Sequence, residues 1–204
     1  YSNNLERVDM GRTQRGMDAI ILKAAKTVLT RYGIRKTTME EIAQAAHIAK
    51  SSIYHYYASK DEIFKVIVDQ EMEATMAEIR KAVSSASTPQ EKLKVFFQAR
   101  FQALQQATNL YSVILDEYFE NYVYIENLRK DMDALEMEIL REILEEGIQR
   151  GDFIVPDVDA AIIGFRAACR GVEYYCWAVT KDFKMVEDVQ NVLTNLIFYG
   201  ILKR

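Results

Sequence analysis

"HIAKSSIYHYYASKDEIF", residues 47–64, gathers both histidines of the chain, three tyrosines and two lysines into one short stretch. Ile53 and Tyr57 are four apart, so on a helix they share one face and pack inward with Ile48. Ser51, Ser52 and His55 fall on a different face and are short or planar polar groups. Lys50, Tyr54, Tyr56 and Lys60 flank them. A one-sided apolar anchor and an opposite polar face describe a short helix that packs on one side and offers the other. Ser59 then caps a longer helix, with Glu62 at the reciprocal position and Ile63, Ile67, Ala74 and Ile79 carrying it to about Val83.

Upstream, "TTMEEIAQAA" (37–46) places Thr38 to cap a helix while Glu41 reaches back, a capping box, and Ile42 and Ala46 form an apolar i,i+4 pair. Before it, a helix is predicted from Met17 to Tyr32. Ala19, Ile20, Ala24, Val28 and Leu29 lie on one face, and Gly33 stops it. Two short helices joined by a tight turn, with a longer helix on either side, make a helix-turn-helix, whose second helix enters the DNA major groove. On that reading Ser51, Ser52 and His55 approach base edges, while Lys50, Tyr54, Tyr56 and Lys60 reach phosphates at the rim. The competing reading makes Tyr54 and Tyr56 half-buried core and the lysines merely solvated. Tyr57 is core under both readings, and His47 is a structural residue of the turn.

Downstream, "SSASTPQ" (84–90) is the first strong break. Helices are predicted over 89–106, 110–121, 124–150, 158–180 and 184–202. "RGDFIVPD" (150–157) is the clearest turn, with Gly151 ending one helix and Asp157 capping the next. The fold class is therefore all-α, about nine helices. A helix-turn-helix unit spans 1–62 and a helical effector-binding and dimerisation unit 63–204, divided inside the helix that Ser59 opens.

Small residues recur along the helix at 158–180: Ala160, Gly164, Ala168, Gly171 and then Tyr175, spaced for close approach of a partner helix. The opposite face carries Ile162, Phe165, Cys169, Val172, Cys176 and Val179 for the core. The last helix is apolar on more than one side (Val189, Val192, Leu193, Leu196, Ile197, Phe198), which calls for two packing partners. A homodimer through both helices follows, with Ala160, Gly164, Ala168, Gly171, Tyr175, Val189, Leu193 and Leu196 at the interface. A monomer with central last helices is the alternative. Dimerisation suits a module that alone touches few base pairs, since two copies read half-sites about 34–36 Å apart.

The chain has 204 residues, half of them hydrophobic, enough for one substantial core or two small domains. No apolar run approaches the roughly 18 residues that span a bilayer, and the polar opening "YSNNLERVDMGRTQRG" lacks a signal-peptide core, so a cytoplasmic protein with no membrane partner is expected. Cys169 and Cys176 would lie about 10 Å apart along a helix, too far for a mutual disulfide. Net charge is −4, yet residues 1–70 carry 11 Lys/Arg against 8 Asp/Glu, so the basic balance belongs to the N-terminal third. No nucleophile pairs with a histidine base, and no glycine-rich phosphate loop or metal-ligand cluster occurs. The reading is therefore no enzyme, no metal and no cofactor. The carboxylates of "DALEMEILREILEE" (133–146) sit at helical spacing with arginine and read as a solvated face.

At these residues the chain resembles the tetracycline-repressor (TetR) family of bacterial transcription regulators. "TTMEEIA" matches the pattern T-T-hydrophobic-x-x-I-A, and "KSSIYHYYASKDEI" matches K-x-x-[LI]-Y-x-Y-F-x-S-K-x-x-[LI]. With "ILKAAKTVLTRYGIRKTT" the resemblance covers residues 17–68 densely. It implies Thr38, Lys50, Ser51, Ser52, Tyr54, His55, Tyr56 and Lys60 as DNA contacts, with Arg12 and Arg15 as candidates for a mobile arm along phosphate. Two positions depart from the pattern: His47 stands where the family has a turn glycine, and Ala49 where it often has a capping serine. The resemblance also implies an effector pocket among the aromatics of the middle section. Its candidates are Phe97, Phe101, Tyr111, Tyr118, Phe119, Tyr122, Phe165, Tyr174 and Trp177, most of which also suit an ordinary core. An elongated apolar or aromatic effector fits them, and an anionic one fits if Arg100, Arg166 or Arg170 faces inward. The expected function is a ligand-responsive repressor on a palindromic double-stranded DNA operator. The alternative is a ligand-binding or adaptor protein that keeps the helix-turn-helix only as scaffold.

Overall fold

The computed structural model describes residues 2–106, 122–175 and 183–201, and every regular element longer than a single bridge among them is helical. The helices are α1 (Ser2–Lys36), α2 (Met39–Ala45), α3 (Lys50–Ile53), α4 (Lys60–Ser85), α5 (Pro89–Gln106), α6 (Tyr122–Gln149), α7 (Val158–Tyr174) and α8 (Phe183–Ile201). The helix expected over 110–121 lies outside the described residues. The chain divides into two compact units, residues 1–70 and 71–204, which meet inside α4.

In the first unit α1 begins at Ser2, well before the predicted Met17, so the backbone at Arg12 and Arg15 is helical. Gly33 takes φ 76° and breaks the helix, as expected, although Ile34–Lys36 add a further turn beyond it. Thr37 Oγ1 closes the break by donating to the Gly33 carbonyl at 2.7 Å. The buried face of α1 is rotated from the expected one. Ile21, Leu22, Ala25, Val28 and Leu29 are buried, while Ile20 is half exposed and Ala19 is exposed. The run "AIILKAA" offers apolar residues at nearly every step, so two registers compete and the larger Ile21–Leu22 pair wins the core. Met39, Ile42, Ala43, Ile53, Tyr57, Ile63 and Phe64 complete that core.

The second unit is built on Met76 and Ile79 of α4, Leu93, Phe96 and Phe97 of α5, Ile139, Leu140, Ile143 and Leu144 of α6, and Ile162 and Phe165 of α7. The α6–α7 turn follows the expected chemistry. Gly151 takes φ 76°, and Asp157 caps α7 by accepting the Ala160 N–H at 2.9 Å. Phe153 folds back into the core so closely that a Cβ on Gly147 would lie 2.1 Å from its ring, which only glycine permits. Ile154 N–H donates to the Ile201 carbonyl at 2.8 Å, fastening the turn to the end of α8.

Candidate functional site

The helix-turn-helix is assembled from local capping. Thr38 accepts the Glu41 N–H, and Glu41 accepts from Thr38 N–H at 2.8 Å, the full capping box expected at α2. At the other end His47 takes φ 57°. Its N–H donates to Gln44 O at 3.1 Å and that of Ile48 to Ala43 O at 3.0 Å. This is a Schellman ending with histidine where glycine is usual, so the turn carries left-handed strain.

Ala49 then occupies the N-cap of α3 and provides no side-chain hydrogen bond. The helix makes one turn and tightens, with His55 N–H on Ser52 O at 3.1 Å and Tyr56 N–H on Ile53 O at 3.0 Å. Restoring the cap with Ala49→Ser is expected to stabilise the protein by about 1 kcal/mol. Chemical denaturation, with hydrogen exchange at Ser51–Ile53, measures it.

The sides of this segment sort as its spacing predicts. Ile53 is 0% exposed and Tyr57 is buried, whereas Lys50, Ser51, Tyr54 and His55 are exposed. Ser52 and Tyr56 are intermediate, and Thr38 is exposed beside its cap. Burial raises the Tyr57 phenol above its ordinary pKa, with the Asp18 and Glu62 carboxylates adding to the shift. One edge of a short rod is thus fixed in the core while serines, histidine and tyrosine stand outward.

Two lysines have partners that the sequence did not announce. Lys60 Nζ donates to the carbonyls of Ile34 (2.6 Å), Thr37 (2.9 Å) and Arg35 (3.1 Å). All three ammonium protons are therefore taken up at the carboxyl end of α1, where the helix dipole favours a cation. Lys60 is a strut between α1 and α4. Lys50 Nζ meets the Glu40 carboxylate at 2.7 Å, with both side chains more than half exposed.

In the second unit Phe97 and Phe165 meet edge to face, 6.0 Å between centroids, and both are buried. Phe101 is half-buried, and Tyr174 is turned outward, 46% exposed. Tyr111, Tyr118, Phe119, Trp177 and the side chain of Tyr122 lie outside the described residues. Arg100, Arg166 and Arg170 do point inward. Arg100 Nε donates to both oxygens of Glu136 at 3.0 and 3.1 Å. Arg166 and Arg170 share the Asp133 carboxylate, and Arg170 also holds Glu126.

Asp133 and Glu136 are buried, which corrects the solvated-face reading of 133–146 at those two positions, while Glu138, Glu142 and Glu145 are exposed as expected. The partners of Asp133 and Glu136 sit on α5 and α7, remote in sequence, so spacing within α6 could not reveal them. The Nε atoms of Arg166 and Arg170 and Asp133 Oδ1 are buried without a hydrogen-bond partner. Phe96, Arg100, Glu136, Phe165 and Arg166 border a void of about 10 Å³, room for about one water.

Of the interface candidates, Ala160, Gly164, Gly171 and Tyr175 are exposed, and a Cβ on Gly164 or Gly171 would meet nothing within 4 Å. Ala168, Val189 and Leu193 are half-buried. The outward stripe of α8 is Val192, Leu196 and Tyr199, and Ile163 is likewise exposed on α7. Among the described residues no helix is long and apolar enough to cross a membrane.

Residues 21–67 match the profile of bacterial regulatory proteins of the tetR family. The HTH-type transcriptional repressor KstR2 of Mycobacterium tuberculosis is 28% identical over 148 residues, 70% of this chain and 72% of its own. The TetR family transcriptional regulator PfmR of Thermus thermophilus superposes with a TM-score of 0.67 at 26% identity, covering 90% of this chain and 99% of PfmR. Bacillus subtilis FadR, solved in complex with stearoyl-CoA, shares the fold with a TM-score of 0.74 at 22% identity, over 90% of this chain and 98% of FadR. The capped helix-turn-helix at residues 21–67 thus matches the tetR family of bacterial regulatory proteins, and with its helical second unit the chain shares the fold of a solved TetR family regulator.

Proposed function

We propose that this chain is a ligand-responsive transcriptional repressor that binds a palindromic operator as a homodimer and is released by a small amphipathic effector. The observation that carries it is the sorting of residues 50–57: Ile53 and Tyr57 are buried while Ser51, Tyr54 and His55 stand outward on a capped helix-turn-helix. Ser51, Ser52 and His55 take the base-reading role, and Lys50, Tyr54, Tyr56 and Thr38 the phosphates. Residues 1–62 serve the operator, and 63–204 serve effector and partner copy. The exposed apolar face of α7 and α8 supports the dimer.

The effector combines an apolar body with an anionic end. Stearoyl-CoA in the FadR complex supports the apolar body, and the inward-facing Arg100, Arg166 and Arg170 support the anionic end. A ligand regulates only by binding one dimer geometry better than another. Since α4 carries residues of both units, it is the element through which an effector resets the recognition helices.

Selection of bound sequences from random duplex DNA tests the reading. A two-fold symmetric consensus, bound with steep salt dependence, is expected. Failure to enrich any sequence would instead favour a ligand-binding protein that keeps the helix-turn-helix as scaffold.

A further inference from the structure

Glu40 is an acidic side chain on the face assigned to DNA. It lies in the first turn of α2, next to Glu41, but the two carboxylates do different work. Glu41 closes the capping box on Thr38. The Glu40 carboxylate reaches across to α3 and holds Lys50 Nζ at 2.7 Å. The side chains of Lys50 and Glu40 are 59% and 67% exposed, so the core does not need the pair, and exposed pairs of this kind contribute little to stability.

The position makes the pair consequential. Lys50 is the first residue of the recognition helix, where its charge attracts a phosphate. While Lys50 donates to Glu40 it is engaged away from the backbone. Once Lys50 turns to phosphate, Glu40 is left bare beside a polyanion and draws a counterion back.

We propose that Glu40 is an affinity-setting residue that competes with operator phosphate for Lys50. The inference rests on the DNA-binding reading of the helix-turn-helix. It adds a restraint to that reading: each recognition helix gains one phosphate contact only at the cost of an internal ion pair. Such a restraint weakens binding to any duplex, operator or not, and leaves a repressor easier to release.

The test is a double-mutant cycle on the full-length protein with Glu40→Gln and Lys50→Gln. Fluorescence anisotropy follows binding to the selected operator duplex, and to an unrelated duplex of equal length, across a salt series. Glu40→Gln is expected to tighten both about three- to tenfold at low salt. It should also steepen the log–log salt slope by about 0.9 for each recognition helix engaged. In the Lys50→Gln background the same substitution should have almost no effect.

Unchanged or weakened binding by Glu40→Gln overturns the proposal, as does an undiminished effect without Lys50, which would mean that Glu40 acts on DNA directly. If wild-type protein bound no selected duplex, the repressor reading itself would fall, an outcome distinct from a failure of the cycle alone. Circular dichroism of each variant confirms that the fold is intact, as the exposure of both side chains leads one to expect.

Discussion

Leu196→Arg is expected to convert the repressor to a monomer and to cut operator affinity by about 10²–10⁴-fold. Leu196 is 68% exposed, and Val192 and Tyr199 repeat that exposure four residues before it and three after, on one face of α8. Ile163 adds 64% exposure on α7, the helix packed against it. Such a face in an isolated subunit marks an interaction surface. Two-fold pairing would bury the same patch, Leu196 included, on both copies. Arginine at that position therefore places a desolvated charge in the interface twice over, which opposes association.

The effect on DNA follows from linkage: two tethered recognition helices bind one palindrome with an effective concentration that a monomer lacks. Sedimentation and operator titration check the two halves separately. A Leu196→Arg protein that sediments as a dimer would sink the interface. A monomer with undiminished operator affinity would sink the need for it. Leu196→Ala, which shortens the side chain without adding charge, should give a smaller loss in both measurements.

Legibility in the sequence tracked the range of the interaction. The capping box at Thr38, the left-handed Gly33 and Gly151, and the Asp157 cap depend on residues within four or five positions, and each stands where its spacing placed it. The strained turn at His47 and the uncapped α3 were likewise readable, because each departs at a single position from the pattern of the family that the chain resembles. Faces were harder. On α1 the apolar run allowed two registers, and on α8 the outward stripe passes through Val192 and Tyr199 more than Val189 and Leu193. Partnerships across the fold were not legible at all. Lys60 reads as a surface cation until the end of α1 is placed beside it. Asp133 and Glu136 read as solvent-facing until arginines from α5 and α7 close over them. Only the three-dimensional arrangement supplies those neighbours.

Those buried carboxylates set the second large effect: Asp133→Ala should destabilise the protein by about 3 kcal/mol, the low end of the range for removing one partner of a buried ion pair. The Asp133 side chain is 3% exposed and serves both Arg166 and Arg170, whose side chains keep 31% and 20% of their exposure. Removing the carboxylate strands the Arg166 guanidinium and leaves Arg170 with Glu126 alone, between α6 and α7. Their partial access to water is what holds the expected loss to the low end. For a chain of this length the loss corresponds to a fall in Tm of about 6–12 °C.

Buried pairs are screened far less than surface ones, so added salt should recover little of the deficit. Asp133→Asn keeps the volume and one acceptor. It should recover part of the loss, separating the charge from the cavity. If Asp133→Ala melted within a degree of wild type, the guanidinium groups would have to be satisfied without it, and the cluster would not be what ties α7 to α6. A buried ionic cluster is a poor way to gain stability compared with apolar packing. Its presence beside Phe96 and Phe165 therefore weighs toward ligand recognition, and the same Asp133→Ala protein should show altered release from operator by an anionic effector.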